Sequence, residues 1–210
     1  MTDQNTATTS TTAPAANEPV FNTRGLLDAR IPPEAEIQSN LMQAPGQSFG
    51  DWLDSRVARF ATRRYDWDAL KFQADYNPRY RRAQMRYMGT GGTGVASDGN
   101  TVPASHFTFS TMVIPAGNEG PSHIHYDVEE VFFVMRGKMK VICEKDGQRW
   151  ESILGERDII SVPPGVYREE INIGDEDALM CVMLGSPQPI TPVYPPDSPL
   201  AKIKREMLAR

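Results

Sequence analysis

The sequence predicts an all-β protein, an antiparallel sandwich or barrel of short strands behind a partly helical N-terminal extension. Three observations predict it. From Phe107 onward, short apolar and β-branched runs are separated by turn residues. Asp146-Gly147 stands between two alternating runs, a strong hairpin signal. Helical spacing is confined to the region after Ser48, a turn from Asp66 to Gln73, and the last residues from Leu200.

Residues 1–18 are Thr, Ser, Ala, Asn, Gln and Pro with almost no apolar bulk. Such a segment cannot bury enough surface to offset its ordering entropy, so a disordered tail is expected. Residues 19–100 read as an N-terminal extension. It begins as an extended arm with apolar patches at Val20-Phe21 and Leu26-Leu27. Ser48 followed by Asp51 is a helix-start signature. Trp52, Leu53, Val57 and Phe60 recur at helical spacing, which predicts a helix over 49–63 with its apolar stripe packed on a partner surface. Arg79, Arg81, Arg82 and Arg86 alternate with Tyr80 and Tyr87 and read as a solvated strand edge. Gly89, Gly91 and Gly94 spell Gly-x-Gly-x-x-Gly, but no helical pattern follows, so a dinucleotide site is not expected there.

The β domain spans residues 101–187. Phe107, Phe109, Thr111 and Val113 share one strand face, with His106, Thr108 and Ser110 on the other. Val131 to Met135 is a buried strand. Met139, Val141 and Cys143 alternate toward the hairpin, and the return strand covers 148–154. Strands over 158–162, 166–172 and 178–184 complete the set, with Pro163-Pro164-Gly165 as a turn between the first two. Residues 188–210 are a proline-rich crossing and a short terminal helix. No internal repeat is visible, which argues one domain.

Composition narrows the functional classes. Hydrophobic residues make up 40% and charged residues 23%, and the formal net charge is −5. That balance speaks against a general nucleic-acid surface. No apolar run reaches the ~18 residues a membrane helix needs. The start lacks a secretory pattern, and Cys143 and Cys181 sit inside apolar runs. Free buried thiols in the cytoplasm are the simpler expectation, with a disulfide as the alternative.

The chemistry concentrates between Gly117 and Gly137. His123 and His125 are two residues apart, so on an extended strand both rings leave the same face. Glu129 and Glu130 follow, at the mouth of the Val131–Met135 strand. Two imidazoles and one carboxylate form the ligand pattern of non-haem iron and related metals. The opposing reading makes them surface strand residues beside an acidic turn.

The spacing resembles the first motif of the cupins: Gly, five residues, His-x-His, three or four residues, Glu, six residues, Gly. Gly117, His123, His125, Glu130 and Gly137 match every fixed position, and Glu130 fits the motif better than Glu129. The second cupin motif is Gly, five residues, Pro-x-Gly, two residues, His, three residues, Asn. Pro163, Gly165 and Asn172 match, Arg157 replaces the glycine, and Arg168 replaces the histidine that is the family's fourth ligand. A guanidinium has no lone pair for a metal.

Three arrangements accommodate Arg168. His123, His125 and Glu130 hold the metal alone, leaving positions for substrate or oxygen. Alternatively another residue completes the set, Glu170 on the strand face of Arg168 or, less favoured, His106. In the third, no metal binds and Arg168 pairs with Glu130 or Glu170. Tyr126 and Tyr167 flank the two motifs and either offers a phenol to a ligand, although both also suit an ordinary strand edge.

The resemblance covers about residues 101–187. It implies a cupin jelly-roll β-sandwich barrel, a homodimer and an internal small-molecule pocket. It further implies a divalent transition metal, iron foremost, with manganese, nickel or zinc as alternatives. The expected function is a dioxygenase-type oxidoreductase acting on an organic acid or phenol, with Arg168 holding the substrate anion. The rivals are a non-catalytic small-molecule-binding cupin and a metal-free isomerase or epimerase.

Overall fold

The computed structural model describes residues 41–91, 98 and 100–209. The expected disordered tail and most of the extended arm lie outside these residues. Ser48 caps the first helix as its sequence requires: its Oγ accepts from the Asp51 amide at 3.1 Å. The helix, α1, runs only Phe49–Asp54 rather than over 49–63, and a single 3₁₀ turn follows at Phe60–Thr62. Phe49, Leu53, Val57 and Phe60 are exposed. A short helix is marginal unless a face is buried, and this stripe finds no surface among the described residues. A second short helix, α2, covers Lys71–Tyr76.

Among the described residues nine strands follow: β1 Ala83–Met88, β2 Thr108–Ile114, β3 Glu119–His123, β4 Glu130–Arg136, β5 Met139–Lys145, β6 Gln148–Leu154, β7 Ile159–Val162, β8 Tyr167–Asn172 and β9 Ala178–Leu184. They form two antiparallel sheets, ordered β1-β2-β9-β4-β7 and β3-β8-β5-β6. Side chains from both meet in one apolar core: Met112, Ile114, Phe132 and Met180 from the first sheet, Met139 and Val141 from the second.

The expectation of an all-β closed barrel is corrected. Neither sheet closes on itself; β1 and β7 end one, and β3 and β6 end the other. The chain passes between sheets at Gly137, whose φ of 96° favours glycine. There β4 and β5 are joined through the chain and not through a hydrogen-bonded ladder. Helices also belong to the packed body. α3, Pro199–Leu208, buries Leu200 and Ala201 with Tyr194, and Phe72 of α2 packs against them. The fold is a mixed α/β jelly roll with two open sheets.

Several local readings hold. Asp146 and Gly147 both have positive φ, 51° and 74°, and join β5 to β6 with Lys145 opposite Gln148, as a primed turn requires. Cys143 and Cys181 are free thiols. No helix among the described residues is long and apolar enough to cross a membrane. Gly94 and most of the glycine-rich loop lie outside the described residues.

The structure decides one strand face and reverses one reading. In β2 the inward face is Thr108, Ser110, Met112 and Ile114, while Phe107 is exposed. Arg82 and Arg86 of the arginine-rich stretch are buried rather than solvated. Arg86 reaches Asp66 at 2.9 Å and Asp98 at 3.1 Å.

The candidate metal centre

His123 closes β3 in the four-stranded sheet, opposite Arg168 of β8. Its Nδ1 lies 2.9 Å from the Pro121 carbonyl oxygen. A carbonyl only accepts, so Nδ1 donates, and in the neutral ring Nε2 carries the lone pair. At the next residue the chain is pinned by paired backbone bonds between Ile124 and Val193, at 2.8 and 3.0 Å. His125 Nδ1 donates to the Ile190 carbonyl at 3.1 Å. The Gly165 amide donates to the His125 carbonyl at 2.8 Å, tying the two motifs together. Both rings are therefore held by the backbone, as metal-ligating histidines commonly are.

Glu130 enters from the opposite sheet. It is the first residue of β4, between β7 and β9 and paired with Val162 and Leu184. Period-two alternation sends Glu130, Phe132 and Val134 inward. Its Oε2 lies 3.2 Å from His123 Nε2 and 3.7 Å from His125 Nε2. The three candidate ligand atoms fall within 4.8 Å of one another, and all three residues are buried. His125 Nε2 has no hydrogen-bond partner. With both Nδ1 atoms donating, three lone pairs face one point, and a cation there reconciles them. The residues fit a divalent transition metal.

The electrostatics agree. Burial holds the His125 imidazole below its ordinary pKa, and the charges of His123 and Arg168 lower it further against the pull of Glu130. The ring is thereby kept neutral, the state that binds metal. Burial alone would raise the Glu130 carboxyl. The close approach of His123 and the positive charge around the carboxylate, Arg168 included, outweigh it, and Glu130 stays below the usual carboxylate range.

The remaining predicted residues separate. Arg168 is fully buried. Its Nη2 donates to the Pro163 carbonyl at 3.1 Å, and its Nε lies 3.7 Å from Glu130 Oε2. Its Nε faces the same Glu130 oxygen that approaches the two histidines, and Arg168 does not line the cavity beside the triad. Glu170 is buried on the same inward face of β8 and does line that cavity. It is not part of the three-ligand group. Burial raises its carboxyl above the ordinary range, with Arg82 pulling the other way. Glu129 points outward and accepts from Ser161 Oγ at 2.9 Å, so it is no ligand. His106 is exposed. Tyr126 is 63% exposed and, like Tyr167, does not line the cavity.

The residues that sequence reasoning missed are Arg82 and Gln73. Arg82 Nη1 donates to Gln73 Oε1 at 2.7 Å, its Nε sits 3.7 Å from Glu170 Oε1, and Gln73 Nε2 donates to the Tyr194 hydroxyl. This chain of polar groups runs from α2 to the cavity wall. Its only sequence signal was the parity of β8, which puts Glu170 inward and so calls for a buried cation.

Residues 110–184 match the family model of the cupin domain. No curated protein matches the chain. Among solved structures, a recombinant oxalate oxidase in complex with glycolate is 18% identical with a TM-score of 0.45, over 61% of this chain and 66% of that one. The Lactobacillus farciminis oxalate decarboxylase formate complex is 16% identical with a TM-score of 0.45, over 60% of this chain and 36% of that one. Peruvianin-I, a cysteine peptidase from Thevetia peruviana latex, is 15% identical with a TM-score of 0.48, over 82% and 86%. The chain spans just under two thirds of that oxalate oxidase. Those activities belong to those proteins. Residues 110–184 are thus similar to a cupin domain, and within them His123, His125 and Glu130 form a candidate metal-binding set between the two sheets.

Proposed function

We propose that the protein is a metal-dependent enzyme of dioxygenase type that acts on a small organic acid or phenol. The observation that carries this reading is the convergence of His123 Nε2, His125 Nε2 and Glu130 Oε2 within 4.8 Å, beside a cavity of about 30 Å³. Three protein ligands leave positions free on an iron-type centre. Manganese, nickel or zinc suits the same donors. When bound, the metal supplies Lewis-acid and templating chemistry, together with one-electron chemistry if it is iron or manganese.

The chain's own residues do the rest. The backbone carbonyls of Pro121 and Ile190 orient the two imidazoles and hold their protons on Nδ1. Arg168 lies beside Glu130 Oε2 and balances its charge. Leu70, Phe132, Val182 and Leu184 line the cavity with apolar surface and exclude water. A cytoplasmic homodimer belongs to the same reading, and sedimentation tests the dimer.

Oxygen uptake by the iron-loaded protein, measured against a panel of carboxylates and phenols, tests the proposal. Uptake should depend on substrate and vanish in His123→Ala. No uptake with any member of the panel would overturn it. The Arg168–Glu130 contact favours one rival, a metal-free binding protein or isomerase with a closed ion-pair cluster. In that case added metal would change neither melting nor ligand binding.

A further inference from the structure

The cavity beside the triad, at about 30 Å³, has room for one or two waters or for the head of a ligand, but not for the body of an organic acid. A second cavity of about 150 Å³ lies against it. Leu70 and Pro192 line both. The outer cavity is apolar, walled also by Phe72, Tyr194 and Met207. One leucine and one proline thus divide a polar inner space from an apolar outer one.

The unused donors lie on the inner side. Arg82 is 5% exposed and lines the inner cavity. Its Nη1 is engaged by Gln73 Oε1 and the Tyr80 carbonyl, while its Nε donates no hydrogen bond and lies 3.7 Å from Glu170 Oε1, a loose ion pair. In the outer cavity, the Lys204 ammonium already donates to the Thr191 carbonyl, the Thr191 hydroxyl and the Pro192 carbonyl. An ammonium has three protons, so none is left for a ligand. Charge points the same way. With a dication on the triad, Arg82, Arg168 and the metal outweigh Glu130 and Glu170. The inner space then favours an anion.

The geometry points to a single ligand site divided by Leu70 and Pro192, which takes a monocarboxylate with an apolar body. The carboxylate enters the inner cavity toward Arg82, and the body fills the outer cavity once the Leu70 side chain moves aside. The excess of positive charge rests on the metal-enzyme reading above; the partition and the Arg82 Nε without a hydrogen bond do not. Arg82 is the specificity-determining residue of this site, and an acid without an apolar body leaves the outer cavity unused.

Calorimetry on the full chain tests this, with benzoate and acetate as probes and manganese(II) loaded at one equivalent. Benzoate should bind at least about tenfold tighter than acetate, the scale of burying one ring. Leu70→Trp should weaken benzoate about tenfold or more and leave acetate unchanged. Arg82→Gln should weaken both probes about tenfold. Should that variant fold poorly, Arg82→Lys and the Leu70 pair of measurements still decide. Equal affinity for the two probes, no binding of either, or a Leu70→Trp protein that binds benzoate normally would overturn the proposal. Metal content is read on the same samples. A protein that takes up no metal yet keeps the benzoate preference and its Leu70 dependence overturns the enzyme reading alone. One that holds metal and binds both probes alike overturns the divided site alone.

Discussion

Replacing Gly120 by alanine would strike the floor of the site without touching a metal ligand. Gly120 in β3 lies directly opposite Glu170 in β8. A Cβ added there would stand 1.9 Å from Glu170 Oε1, 2.3 Å from Cδ and 2.8 Å from Oε2. Ordinary contact begins near 3.4 Å, so the carboxylate must retreat by about 1.5 Å. Both strands are fixed by their ladders, and Glu170 is buried on all sides. Overpacking of this kind costs about 1–3 kcal/mol. The displaced carboxylate also leaves Arg82, which sits 3.7 Å away, and breaking a buried pair costs about 3–5 kcal/mol when complete. With only part of the pair lost, Gly120→Ala should destabilise by about 3 kcal/mol. For a domain of this size that lowers the melting temperature by roughly 6–12 °C. Urea denaturation of the single and double variants measures it. In a Glu170→Ala background the clash is gone, and Gly120→Ala should cost less than about 1 kcal/mol. An equal cost in both backgrounds would refute the placement of Glu170 beneath Gly120.

Other expected outcomes follow from the same contacts. Arg168→Ala should destabilise the metal-free protein by about 3–5 kcal/mol, because it leaves buried Glu130 short of a partner; urea titration reads this, and a loss below about 1 kcal/mol would contradict the burial. Asn172 Nδ2 donates to the Ile114 and Glu176 carbonyls, and its Oδ1 accepts from the Gly174 amide. Asn172→Ala should therefore cost about 2–3 kcal/mol with metal content unchanged, as urea melts with elemental analysis would show. Stability of the metal-free protein should fall on acidification. The folded chain holds His125 below its ordinary value of 6.5, so stability is full above that pH and declines as the unfolded chain alone takes up a proton. Glu130, held below 4.5, adds a second decline as pH falls from 4.5 through its folded value. His125→Gln should remove the first decline and keep the second; a profile unchanged by that substitution would contradict the assignment.

The triad was legible because its signal is local. His123, His125 and Glu130 sit within eight residues, and strand parity alone turns the two imidazoles together. The Asp146-Gly147 hairpin and the shared inward face of Arg168 and Glu170 were legible for the same reason. What escaped depends on partners distant in sequence. Arg82 reads as a solvated cation until β8 brings Glu170 beneath it, and Arg86 until Asp66 and Asp98 flank it. The sequence separates the two faces of β2 without saying which turns inward. The inner face carries Thr108 and Ser110 near the polar site. The helix after Ser48 has the correct spacing and cap, but its stripe has nothing to cover it among the described residues. Barrel closure is a property of strand order, and no local pattern reports it.

Elemental analysis of the purified protein beside a His123→Ala, His125→Ala double variant tests the metal centre most directly. The account predicts about one divalent transition metal per chain after loading, and none in the double variant, with its β-sheet circular dichroism retained. Metal content equal in the two proteins, or a wild-type chain that takes up no metal, would contradict it.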